Sequence, residues 1–361
     1  YGQTDARLFD HQNWRKCALQ ALGARDFDIL TSDSYGRDDP ELVEQIIRLI
    51  LPRRGIVARP DEVLVTFGAQ NALWLVSQLL LNGRHTAVIE DPCYPALRDI
   101  LGQSRCAVRR VAVDAQGLPP EAIPPETDVL FVTPSHHCPT SVTMPVARRR
   151  ALLERADADD FLVVEDDYEF EMTFAASPSP ALKSLDRAGR VIYIGSFAKS
   201  LFPGLRLGYI VAPAPLIAGA RALRSVVVRH IPGHIQRAAA YFMAQGHYDA
   251  QVHKMARAYR DRRSVAEQAL LAHGLTIAGS NSFGGSSFWM RAPHGVSADA
   301  LANRLRARQV LIEPAGPFFE AGADPGDFYR LAYSSIASGD IPEGLSRVAE
   351  ESAALAGSAG S

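Results

Sequence analysis

The chain has 361 residues, 47% hydrophobic and 22% charged, a composition that excludes a disordered, fibrous or small disulfide-stapled protein. Its 38 Lys plus Arg against 40 Asp plus Glu give a formal net charge of −2, which excludes a global basic field for nucleic acid. The longest apolar stretch, Ala72 to Leu81, is broken by Ser77 and Gln78 and falls short of the roughly 20 residues of a membrane-spanning helix. The four cysteines form no CxxC pair and the start lacks the basic-then-apolar order of a signal peptide, so the expected compartment is the cytoplasm, with no membrane partner. Tyr1 is not an initiator methionine, which suggests a missing upstream part.

From about residue 61 to residue 213, short apolar runs alternate with amphipathic stretches, the pattern of parallel strands joined by crossover helices. Strands are expected at Glu62 to Thr66, Thr86 to Glu90, Val108 to Val113, Val129 to Thr133, Phe161 to Glu165, Val191 to Gly195 and Leu207 to Val211. Most are continuous hydrophobic runs, as for strands covered on both faces. Helices are expected over Asn71 to Leu81 and Pro145 to Ala156, then over Ile235 to Gln245 and Tyr248 to Leu271. A smaller domain is expected from Leu275 to Val348.

Polar residues at the carboxyl ends of such strands are the informative ones, because ligands bind along that edge of an open α/β sheet. The first run leads into Phe67-Gly68-Ala69-Gln70 and a helix, where free N–H groups and the helix dipole favour a phosphate. The Phe161 run ends in Asp166-Asp167-Tyr168; adjacent carboxylates there cost desolvation unless a cation meets at least one of them. The next run leads to Ser196-Phe197-Ala198-Lys199 and then Arg206. A desolvated lysine becomes a nucleophilic amine, and an arginine fork suits phosphate oxygens. Each motif alone reads as an ordinary turn or solvated loop. Together they supply a phosphate clamp, a cation partner and an imine-forming amine, the set that pyridoxal 5'-phosphate requires.

Ser196-Phe197-Ala198-Lys199 with Arg206, and Asp166 upstream, resembles the fold-type I pyridoxal-phosphate proteins of the aminotransferase class. The resemblance implies an α/β fold: a large domain with a mostly parallel seven-stranded sheet and a smaller α+β C-terminal domain. It implies an N-terminal segment over 1–48 packing on the small domain and a dimer partner, a cofactor-binding large domain over 49–250, and a long helix with the small domain over 251–361. By the same match Lys199 would form the Schiff base and Asp166 would keep the pyridine nitrogen protonated. Gly68, Ala69, Gln70, Ser196 and Arg206 would hold the phosphate. Tyr94, in Glu90-Asp91-Pro92-Cys93-Tyr94, would stack on the ring, and Tyr168 would reach its oxygen. Arg330 matches the arginine that grips an amino-acid carboxylate, His137 is placed with it on the effector side, and Tyr35 would reach across a homodimer to the neighbour's phosphate.

Finer spellings, Glu165-Asp166-Asp167-Tyr168, Thr133-Pro134-Ser135-His136-His137 and Thr143-Met144-Pro145, resemble one branch, the MocR and GabR-like transcription regulators of the GntR family. The branch implies an effector-sensing domain that binds an amino compound with an anionic head group as an external aldimine. It also implies DNA contact only through an N-terminal winged helix absent from this chain. The spelling around His136 and around Pro232 to His234 is similar to regulators of taurine or ectoine use. Cys138 and Ser141 occupy slots where ordinary aminotransferases carry Asn and Gly, which points to a sensor with weak or no transaminase activity; a free-standing aminotransferase is the alternative.

Other features carry no function here. His230 and His234 have metal-ligand spacing, but Pro232 and Gly233 break the helix between them, and no metal is expected. The basic runs Arg148 to Arg150 and Arg257 to Arg263 read as solvated helix faces, and Trp74 as packing.

Overall fold

A computed structural model of the chain describes residues 3–174, 179–279, 284–320, 322 and 325–359. All seven expected strands form, as β1 (Val63–Thr66), β2 (Thr86–Asp91), β3 (Ala107–Ala112), β4 (Val129–Val132), β5 (Leu162–Asp167), β6 (Val191–Ser196) and β7 (Gly208–Val211). They make one sheet in the order β1-β7-β6-β5-β4-β2-β3. Only β7 is reversed, pairing antiparallel with both β1 and β6. A second sheet, β10-β11-β9-β8, is built from β8 (Thr276–Ile277), β9 (Ser287–Arg291), β10 (Glu313–Pro314) and β11 (Phe328–Ala332). The helix His247–Ala272 leads from the large sheet to the small one. Among the described residues no helix is long and apolar enough to cross a membrane.

The continuous apolar runs are explained by burial on both sides. In β1, Val63 and Val65 enter one core layer while Leu64 enters the opposite one; in β6, Tyr193 faces the first layer and Ile192 and Ile194 the second. Strand side chains alternate faces, so a strand between two layers is apolar along its body and leaves polar residues to its carboxyl end. Each buried Leu, Ile or Val contributes roughly 1.5–3 kcal/mol. The edge strand β3 alternates exposed and covered positions instead, as its one free side requires. The first layer is completed by the N-terminal helix His11–Ala21 lying along the helix Gly233–Ala244. Phe9 and Trp14 close that contact against Phe202 and Phe242.

Two expectations are corrected. The strand β5 does not stop at Glu165 but continues through Asp167, so its acids obey strand alternation. The basic runs are not solvated faces throughout, because helical geometry turns one arginine of each run inward. Arg149 is fully buried and donates to the carbonyls of Met144, Pro134 and Pro180. Arg262 is buried against Asp5 and the Ser334 carbonyl, tying the N-terminal segment to the second half of the chain.

Candidate cofactor and effector site

Three consecutive acids end β5, and alternation gives them separate fates. Glu165 accepts the backbone N–H groups of Leu182 (2.8 Å) and Lys183 (2.9 Å), with Arg149 at 3.8 Å. Asp167 accepts from Arg54 Nε at 2.6 Å and from the Tyr193 hydroxyl at 3.0 Å. Arg54 also donates to Ser135 Oγ and to the Ser179 carbonyl. Asp166 points to the other face, and its Oδ1 is out of solvent with no hydrogen-bond partner. Burial, and then the neighbouring Asp167 charge, pushes its carboxyl up to about 7. An N–H cation is the group this oxygen lacks.

One strand over, β6 delivers Ser196 and then Lys199. Loss of water pulls the Lys199 amine below the ordinary lysine range; Glu169 opposes that fall and Arg330 adds to it. A larger neutral fraction makes the amine a better nucleophile toward a carbonyl. The expected phosphate groups converge at the start of β7. Gly208 pairs with Ser196, and a Cβ on Gly208 would lie 2.8 Å from the Gly195 carbonyl and 2.9 Å from the Gly68 backbone. No side chain fits there, so the Gly68 turn lies directly on the strand. Gly68 itself has φ +79°, and the left-handed Arg206 donates through Nη2 to the Phe67 carbonyl at 3.1 Å. The N-terminus of the helix Gly68–Leu80, the Arg206 guanidinium and Ser196 therefore surround one point, a ready anion site.

Gly68→Ala is expected to force a left-handed Cβ to within 3.4 Å of Arg206 Nη2. A cost of about 1–2 kcal/mol in stability, read by thermal unfolding, should accompany weaker cofactor retention.

Tyr94 lines one small cleft with Leu73, Glu90, Thr133 and Asp166, which sets its ring beside the unpartnered carboxylate. Tyr168 packs on a cluster of Cys138, Trp289, Ala315 and Phe318. Burial drives the Tyr168 phenol well above its usual range, with Cys138 and Glu169 adding and Arg330 opposing. The Cys138 thiol, pushed up to about 12 chiefly by burial, feels Arg330, Glu313, Asp166 and Lys199 together. Arg330, on β11, stands opposite Trp289, and its guanidinium is 5.3 Å from the Phe318 ring centre.

Two further expected residues make contacts of their own. His137 is buried with Nδ1 2.6 Å from Thr140 Oγ1 and Nε2 3.5 Å from Glu90 Oε2. Burial holds its ring down to about 3, hence neutral, and pushes Glu90 up to about 7. Tyr35 is 53% exposed, meets Arg229 at 5.3 Å, and lines a groove of about 1110 Å³ with Val43, Ile47, Ile217 and Arg221. Arg54, Glu90, Glu169 and Glu313 were not singled out from sequence, although each is covered and faces the site or its supports.

Asp166 also makes a pH prediction. A carboxyl at about 7 in the fold and 3.8 as an ordinary aspartate keeps its proton in the folded chain across that interval. The folded state then binds more protons than the unfolded one, so its contribution to stability declines as pH rises through the window. The full cost, on the order of 2–4 kcal/mol, is present above about pH 7. The cofactor-free Asp166→Asn chain should therefore melt higher than the cofactor-free wild type at pH 8, with little difference at pH 4, while holding cofactor less well.

A seven-stranded sheet with one reversed strand, a buried lysine and an unpartnered aspartate on adjacent strand ends, and a glycine–arginine anion cradle define a pyridoxal-phosphate-binding body of the fold-type I class. The chain belongs to the aminotransferase class I and II family, whose model matches residues 4–348, and within it to the MocR-like regulators. It is 58% identical over 349 residues to the HTH-type transcriptional regulator TauR of Rhodobacter capsulatus, spanning 97% of this chain and 72% of that protein. It is 30% identical to the probable rhizopine catabolism regulatory protein MocR of Rhizobium meliloti, over 95% of this chain and 70% of that one. Among solved structures, the Pyrococcus horikoshii kynurenine aminotransferase in complex with PMP matches with a TM-score of 0.89 and 26% identity, covering 98% of this chain and 90% of its own. The α-aminoadipate aminotransferase LysN of Thermus thermophilus, complexed with N-(5'-phosphopyridoxyl)-L-leucine, gives 0.89 and 26%, over 99% and 92%. Pyridoxal phosphate is the cofactor of this fold, and the residues present fit it: the orphaned Asp166 oxygen suits a ring N–H, and the Gly68–Arg206 cradle suits a phosphate.

Proposed function

We propose that this chain is the effector-sensing body of a transcriptional regulator, reading an amino compound with an anionic head group. The reading is supported by the grouping of Lys199, Asp166 and Arg330 within electrostatic reach of the buried Cys138, in a chain 58% identical to a named regulator. The cofactor supplies an electrophilic carbon that an amine can occupy. Lys199 would hold the cofactor through that carbon, and its buried amine is the group an effector amine would have to replace. Asp166 would hold a positive ring nitrogen, Tyr94 would lie against the ring, and Arg330 would select the far end of the effector by charge. Release of Lys199 and engagement of Arg330 give two arrangements with different affinity for the effector, which is what a switch requires.

A homodimer belongs to this reading. The Tyr35 groove carries apolar walls, and Val226 and Val227 stand 84% and 51% exposed, an outward apolar area suited to a second copy. An aminotransferase would use the same lysine, but Cys138 and Ser141 stand at the slots where ordinary aminotransferases carry Asn and Gly.

The test is a titration of the cofactor-loaded chain with taurine and γ-aminobutyrate, followed near roughly 420 nm, where lysine-bound cofactor absorbs. A saturable spectral change without keto product supports the sensor. Repeated cycles with an added keto acid would establish an enzyme instead.

A further inference from the structure

Arg330 is already engaged by a carboxylate of its own chain. β10 and β11 pair antiparallel with Glu313 directly opposite Arg330. Arg330 Nε donates to Glu313 Oε2 at 2.7 Å, and Nη2 lies 2.5 Å from the same oxygen. The two side chains are only 16% and 22% exposed, beside Phe318 and Trp289, so little water screens the pair. A guanidinium grips an anion best through two parallel N–H bonds, and Glu313 already claims hydrogens on the Nε–Nη2 edge. An effector's anion arriving at Arg330 meets a residue whose charge is matched and whose donors are partly spent.

We propose that Glu313 is a built-in competitor that sets the affinity and charge selectivity of the effector site. The inference rests on the reading that Arg330 receives the effector's anionic head group. An anion reaches Arg330 by displacing Glu313 or by sharing the guanidinium with it, and two carboxylates around one cation repel in a poorly screened pocket. Affinity for anionic amines is thereby held below what Arg330 alone would give. An amine with a neutral far end leaves the pair intact and feels no such opposition. The effect is a raised threshold: the site responds to abundant effector and ignores traces of similar anions.

A purely supporting role for Glu313, holding Arg330 in place, has the opposite sign. Glu313→Gln keeps size and hydrogen-bond capacity while removing the charge. Cofactor-loaded wild type, Glu313→Gln, Glu313→Ala and Arg330→Gln should be titrated with taurine, γ-aminobutyrate and ethanolamine, following the visible spectrum. The expected result is that Glu313→Gln binds taurine and γ-aminobutyrate about tenfold more tightly, a difference of about 1.4 kcal/mol, and leaves ethanolamine within about twofold. Glu313→Ala should shift the anions in the same direction. Anion binding that is unchanged or weaker in both folded, cofactor-holding variants overturns the proposal. If Arg330→Gln keeps the full preference for the two anions over ethanolamine, the head-group reading fails, whatever Glu313 does.

Discussion

Lys199→Ala is expected to fold, to bind pyridoxal phosphate reversibly, and to lose all cofactor that borohydride would fix to the wild-type chain. The amine lies buried where removal from water disfavours its charged form, so deleting it relieves a desolvation cost and does not open a charged void. The Gly68–Arg206 part of the phosphate cradle and Asp166 lie on other elements and stay in place. Loss of the covalent link should weaken retention on the order of 100-fold, about 2.7 kcal/mol. Intact mass after reduction gives the answer directly. Cofactor mass retained on the alanine variant would place the attachment elsewhere and remove the basis of the proposed switch.

The second large effect concerns a residue that supports the site from behind β5. Arg54→Leu should destabilise the chain by about 3–5 kcal/mol, because it leaves the Asp167 charge buried and unpaired. Arg54 and Asp167 side chains are 1% and 0% exposed, and they bond at 2.6 Å. In a chain of this size a loss of that kind lowers the melting midpoint by about 10 °C. Arg54→Leu combined with Asp167→Asn should recover part of the loss, since removing both charges of a buried pair costs less than removing one. The single variant also sharpens the Asp166 environment: an uncompensated Asp167 repels it more strongly, and cofactor binding should weaken above neutral pH. A double variant no more stable than Arg54→Leu alone would show that the pair is not what holds β5 in place.

Much of this molecule is legible in the sequence because its sheet is covered on both sides. Seven apolar runs stand out, and most of them lead into a residue of the site. The lysine, the aspartate and the glycine turn are readable because each is local to one strand end. The supports are not. Arg54 lies 113 positions before Asp167, and no periodicity joins them. Glu313 meets Arg330 only because two short strands pair, one of them two residues long. The inward turn of Arg149 and Arg262 depends on which face of a helix meets carbonyls and acids, which a run of basic letters does not reveal. Glu90 and His137 each owe their protonation chiefly to burial in a closed interior, a property of the assembled fold.

The alternation of Glu165, Asp166 and Asp167 along β5 makes the electrical character of the pocket a matter of odd and even positions. The two acids that face arginines point one way and the solitary one points the other. Inserting or deleting one residue within the strand would exchange these roles, presenting an arginine-matched carboxylate to the ring nitrogen and crowding the solitary acid among cations. Composition and hydrophobicity would scarcely change, yet the chain would lose its vitamin-derived group.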